Sequence, residues 1–155
     1  MPLDAGQQAP ELDLPTAGGG RLRLADLEGR PLVLYFYPKD DTSGCTREAL
    51  DFAAAYPAFQ AAGVEIVGVS RDSVQSHDRF KAKHELPFPL ASDEAGEVVE
   101  AYGVWVEKSM YGRSYMGIDR STFLIDGRCQ IRKTWSKVKV PGHVDEVLAA
   151  AKDMQ

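Results

Sequence analysis

Cysteine is scarce in this chain, with two residues, Cys45 and Cys129, among 155. They stand too far apart for a Cys-x-x-Cys redox pair, and the three histidines, His77, His84 and His143, show no ligand spacing that would complete a zinc site. No metal and no other cofactor is therefore expected. Basic charge is also short: 18 lysines and arginines face 23 aspartates and glutamates, giving a net charge of -5 and a pI near 5.2. That balance excludes the broad basic face of a nucleic-acid binder. No stretch of about 18 apolar residues is present to span a membrane, and the first residues lack the basic start and apolar core of a secretory signal. A cytoplasmic protein is expected, with both cysteines starting as thiols in a reducing compartment. Repeats, low-complexity tracts and linkers are missing too, so residues 1–155 read as one domain.

What the chain does contain is enough apolar material, 44% of residues, to bury a core. Gly18-Gly19-Gly20 reads as the turn of a hairpin between Leu12–Leu14 and Leu22–Leu24. The run Pro31-Leu32-Val33-Leu34-Tyr35-Phe36-Tyr37 has strand length and no polar interruption, which predicts a central strand covered on both faces. From Thr46 to Ala62 apolar residues recur at helical spacing, with Pro57 expected to kink or divide the helix. A second strand over Val64–Val69, a helix over Ser73–His84 with Ser73 as N-cap, Leu90–Asp93, a helix over Gly96–Tyr102, a hairpin over Ser121–Trp135 and a last helix from His143 follow. The alternation predicts a three-layer α/β domain around a mixed sheet. Trp105 to Asp119 breaks the rhythm: it has no clear period and is long for a connection, leaving either a functional loop or a surface hairpin with exposed aromatics.

The chemistry concentrates where the central strand ends, in Tyr37-Pro38-Lys39-Asp40-Asp41-Thr42-Ser43-Gly44-Cys45. A thiol attacks a peroxide only as the thiolate, so a reactive cysteine needs surroundings that favour negative charge. Cys45 opens a helix, where unpaired backbone N–H groups and the helix dipole supply such surroundings. Gly44 permits close backbone approach, Thr42 adds a hydroxyl that can donate or accept, and Pro38 ends the strand and would shield the pocket wall from water. Each residue also has an ordinary explanation: a turn threonine, a strand-stopping proline, a cysteine buried as a small hydrophobe.

The run Pro38 to Cys45 resembles the P-x-x-x-T-x-x-C signature of peroxiredoxins, and Tyr35-Phe36-Tyr37-Pro38-Lys39-Asp40 is similar to their bacterioferritin comigratory protein, or peroxiredoxin Q, branch. The likeness extends through Glu48, through Lys108–Ile118 and into Arg120–Asp126, over essentially the whole chain. It implies a thioredoxin-like fold and a peroxidase of hydrogen peroxide and alkyl hydroperoxides. By the resemblance, Cys45 is the peroxidatic cysteine, Thr42, Pro38 and Arg120 complete the peroxide site, and Glu48 holds the arginine in place. Arg120 also has a reason of its own, because a permanent positive charge stabilises both a thiolate and the charge that develops as an O–O bond breaks. Without the motif it would read as a solvated arginine ahead of a strand, and Glu48 as a first-turn carboxylate.

The pattern departs from the branch in its second half. Many members carry a resolving cysteine five positions after the first, where this chain has Leu50. Others carry it in the following helix, and Gln75 to Glu85 contains none. Ser43 replaces the proline common before Gly-Cys. Cys129, after the turn Asp126-Gly127-Arg128, is expected at a sheet edge away from the first helix, too far for a bridge that needs Cα atoms within about 7 Å. A one-cysteine cycle follows, with thioredoxin, glutaredoxin or glutathione as external reductant. The branch is often monomeric, and a monomer is expected. Two rivals stay open: a thioredoxin-like disulfide oxidoreductase, disfavoured without Cys-x-x-Cys, and a sensor that signals through a Cys45 sulfenic acid. The three histidines read as surface or capping residues, and Asp40 and Asp41 as a solvated turn. Met110, Tyr111 and Met116 read either as an apolar rim for bulky hydroperoxides or as simple packing.

Overall fold

The chain is described by a computed structural model over residues 3–154; Met1, Pro2 and Gln155 lie outside the described residues. Two short strands, β1 (Asp13–Pro15) and β2 (Arg21–Arg23), pair antiparallel across the glycine turn and are followed by a 3-10 turn at Leu24–Leu27. Then come β3 (Leu32–Phe36), α1 (Ser43–Ala61), β4 (Glu65–Ser70), α2 (Val74–His84), β5 (Leu90–Ser92), α3 (Glu97–Ala101), β6 (Trp105–Met110), β7 (Arg113–Ile118), β8 (Ser121–Ile125), β9 (Ile131–Trp135) and α4 (His143–Asp153).

The main sheet has the order β5-β4-β3-β8-β9, with β3 parallel to β4 and antiparallel to β8. All five residues of β3 are buried, as a continuous apolar run in a central strand requires. Alternation along this strand divides the interior in two. Leu32, Leu34 and Phe36 join one cluster, under α3 and the N-terminal hairpin. Val33, Tyr35 and Tyr37 join the other, under α1, α2 and α4, which also contains Cys45. The result is the expected three-layer arrangement around a mixed sheet.

Helix α1 presents Cys45, Glu48, Ala49, Phe52, Tyr56 and Phe59 to the sheet. It runs unbroken past Pro57, so the expected division does not occur; Pro57 sits on the exposed side of the helix. Ser73 caps α2 as expected, accepting from the Ser76 N–H at 3.1 Å. The aperiodic stretch after α3 is the β6–β7 hairpin, closed by Tyr111 and Gly112, which both have positive φ. Its period is illegible because its outer half, from Ser109 to Met116, is exposed on both faces, Tyr111 at 97%, and only its root is covered. Its root is anchored by Trp105, over which the Arg71 guanidinium lies 4.6 Å from the ring centroid. Among the described residues, no helix is long and apolar enough to cross a membrane.

Candidate functional site

Cys45 is the third residue of α1, after the N-cap Thr42, and its side chain is buried against the sheet. Backbone N–H groups in this first turn have no intrahelical partner and face the helix entrance. Arg120 enters from the short link between β7 and β8, where the Val138 N–H donates to its carbonyl at 3.0 Å. Its Nη2 donates to Cys45 Sγ at 3.3 Å, and its Nη1 donates to Glu48 Oε1 at 2.7 Å. Glu48 can share the arginine with Cys45 because it lies three residues further along α1, on the same face. Gly44 leaves room for this approach: a Cβ there would stand 3.1 Å from Arg120 Nη2, so the guanidinium would have to give by a few tenths of an ångström.

Burial sets the electrostatics. It pushes the Glu48 carboxyl up to about 7, with Arg120 only partly opposing the shift. Glu48 Oε2 is buried with no hydrogen-bond partner, which also favours the neutral acid. Burial works against the charge on Arg120 too, but Glu48 and Cys45 outweigh it and hold the guanidinium more firmly protonated than usual. The sulfur thus faces a permanent cation whose other nitrogen is occupied.

Thr42 donates its hydroxyl hydrogen to the Lys39 carbonyl at 2.9 Å and makes no side-chain cap bond. With its hydrogen committed, Oγ1 is left to accept from a hydroxyl at the helix entrance. Pro38 is exposed, so it ends the strand without sealing the site from water.

Several sequence-based expectations fail around this loop. Asp40 is buried, bonded to Tyr37, Ser76 and His77, while only its neighbour Asp41 is a solvated turn residue, with φ 60° and Lys83 Nζ at 2.9 Å. His77 is fully buried, not a surface residue, with Nε2 2.9 Å from the Ala91 carbonyl. His143 is buried as well, 2.8 Å from Thr122 Oγ1, and burial pushes it down to about 4, so it is neutral. His84 lies half-buried beside Asp41. A polar side chain in a polar stretch carries no local sign of burial, and Asp40 and His77 are 37 positions apart. Cys129 is a turn residue with φ 62° before the edge strand β9, and it packs on the cluster under α3, across the sheet from Cys45.

The AhpC/TSA family profile matches residues 5–134. The putative peroxiredoxin bcp of Coxiella burnetii is 51% identical over 148 residues, covering 96% of this chain and 98% of that protein. Peroxiredoxin Bcp of Bacillus subtilis is 48% identical over 154 residues, covering 99% and 98%. A solved structure of the Xanthomonas campestris bacterioferritin comigratory protein, described for its alkyl peroxide reduction activity, superposes with a TM-score of 0.92 at 49% identity, covering 97% of this chain and 99% of that one. The mixed sheet with its flanking helices is thus the thioredoxin-like arrangement shared with these structures.

Proposed function

The chain belongs to the AhpC/TSA family of peroxiredoxins and is a thiol-dependent peroxidase, and from that premise we propose that Cys45 is its attacking sulfur in a one-cysteine cycle. The observation that carries the assignment is the guanidinium of Arg120 bridging Cys45 Sγ and Glu48. The Cys45 thiolate attacks one peroxide oxygen; an S–O bond forms as the O–O bond breaks, and the departing oxygen leaves as water or alcohol after taking a proton. Arg120 stabilises charge on sulfur before the reaction and on the leaving oxygen during it. Thr42 Oγ1 and the N–H groups around Gly44 and Cys45 hold the peroxide in line.

Hydrogen peroxide and organic hydroperoxides are the proposed substrates, the latter supported by the activity described for the Xanthomonas relative. The sulfenic acid on Cys45 is then attacked by an external thiol, thioredoxin, glutaredoxin or glutathione, releasing water and forming a mixed disulfide that a second thiol cleaves. Three features support an external partner: Leu50 at the fifth position after Cys45, no cysteine in α2, and Cys129 across the sheet. The reading takes residues 1–155 as one domain, acting as a monomer in the cytoplasm.

The test is the second-order rate of Cys45 oxidation by hydrogen peroxide and by an alkyl hydroperoxide, set against free cysteine. A rate no better than the free thiol removes the peroxidase role. Fast oxidation with no turnover by any thiol favours the sensor.

A further inference from the structure

Asp40 lies five residues before Cys45, in the loop that runs through Thr42 into the first turn of α1, which holds Gly44. Its Oδ1 accepts from the Tyr37 hydroxyl at 2.5 Å, its Oδ2 accepts from the Ser76 hydroxyl at 2.8 Å, and His77 Nδ1 stands 2.7 Å from the same Oδ2. Burial first, then Tyr35 and Asp40, keep the Tyr37 phenol protonated and able to donate. A backbone carbonyl only accepts, so His77 Nε2, 2.9 Å from the Ala91 oxygen, carries a hydrogen. Both carboxylate oxygens thus accept from hydroxyls, and the short Nδ1–Oδ2 contact is closed by one further hydrogen lying between ring and carboxylate. His77 therefore ties Asp40 on one side to the Ala91 carbonyl on the other, with the side-chain polar atoms of both residues bonded.

The same network ties the loop to its surroundings. Asp40 N–H donates to Asp72 Oδ2 at 2.9 Å, which also accepts from Ser70 Oγ at 2.5 Å. Asp41 holds a left-handed backbone, φ 60°, while paired with Lys83 of α2. Asp40, Asp72 and His77 bring their ligand atoms within 4.8 Å of one another, yet the Asp40–His77 contact of 2.7 Å is closer than the roughly 3.3 Å between two ligands on one tetrahedral zinc. A proton fits between them and a metal does not.

We propose that His77 is a positioning residue for peroxide reduction: its ring clamps Asp40 and presets the loop that leads through Thr42 to Gly44 and Cys45 at the start of α1. The proposal rests on Cys45 being the attacking sulfur. Two substitutions separate its halves. His77→Asn keeps an N–H near the Nδ1 position, facing Asp40, whereas His77→Gln keeps one near Nε2, facing Ala91. The Cys45 oxidation rate of His77→Asn is expected within about threefold of the parent, and that of His77→Gln lower by on the order of tenfold or more, because small misplacements of reacting groups are costly. A purely structural histidine would lower the melting temperature of both variants and leave the rates of the folded proteins alike, which overturns the proposal. Nitrogen-15 NMR of the parent, which depends on no variant, is expected to find Nδ1 and Nε2 of His77 each in a persistent hydrogen bond; a ring nitrogen free of one overturns the clamp. A parent that reacts no faster than free cysteine defeats the assignment of Cys45 and this proposal with it, whereas a fast parent with equally fast variants defeats the positioning role alone.

Discussion

Arg120 reaches Cys45 across 75 positions of sequence, with Nη2 3.3 Å from the sulfur, while Nη1 of the same guanidinium holds Glu48 at 2.7 Å. The planar fork lets one cation make both contacts at once. A lysine has a single ammonium and one direction of reach.

That geometry separates charge from shape. Arg120→Lys keeps the positive charge but cannot span both partners, and Arg120→Ala removes both. The Cys45 oxidation rate is expected to fall by on the order of 10²-fold in the alanine variant, the scale found for removing one donor from a developing charge, with lysine recovering only part of it. Stopped-flow oxidation by hydrogen peroxide measures this directly. Full recovery by lysine would mean that the fork is irrelevant.

Thr42 is expected to act as an acceptor, since its own hydrogen goes to the Lys39 carbonyl. Thr42→Ser keeps both functions and should react within a few-fold of the parent. Thr42→Val keeps the shape and loses the oxygen; its rate should drop by on the order of tenfold to a hundredfold, against a stability loss of only about 1 kcal/mol for one exposed hydrogen bond. A valine variant as fast as the serine variant would remove Thr42 from the peroxide site.

What could be read from the sequence was what local pattern dictates. The unbroken apolar run predicts β3, the helical spacing from Thr46 predicts α1, and the position of Cys45 at the junction between them follows from both; the Ser73 N-cap likewise predicts the start of α2. The missing parts depend on distant packing. Asp40 looks like any turn carboxylate until the loop folds onto α2 and meets His77, which sits in a helix of mainly polar residues. In sequence Gly44 is room for close approach of a ligand, and the structure gives that room to Arg120. The β6–β7 hairpin shows no period in sequence because its outer half is exposed on both faces and needs no alternation.

Glu48 makes a prediction about pH. Its folded-state value, about 7, lies above the ordinary 4.5, so the folded chain keeps a proton that the unfolded chain releases. Stability from this group is fully present below 4.5 and is lost as pH rises to about 7. A shift of that size corresponds to roughly 3 kcal/mol. Glu48→Gln, neutral at every pH, should lack this loss. Urea unfolding of both proteins from acid to mild alkali gives the comparison, and parallel curves would show that Glu48 titrates normally.

Cys129 packs on the face of the sheet away from Cys45, in a turn whose backbone is fixed by the Cys129 N–H to the Asp126 carbonyl at 3.0 Å and by the Ala9 N–H to its own carbonyl at 2.8 Å. A direct bridge would have to carry one sulfur through or around the sheet, against the requirement for Cα atoms within about 7 Å. Burial and the nearby carboxylates of Glu28, Glu11 and Asp126 also push its thiol up, away from the thiolate needed to attack a sulfenic acid. Cys129→Ser is therefore expected to match the parent both in the first burst of peroxide consumption and in steady turnover with thioredoxin. Leu50, 41% exposed one turn beyond Cys45, marks where an internal partner could be built. If Cys129→Ser kept the burst and lost the turnover, Cys129 would be the resolving thiol and the sheet would have to open during each cycle.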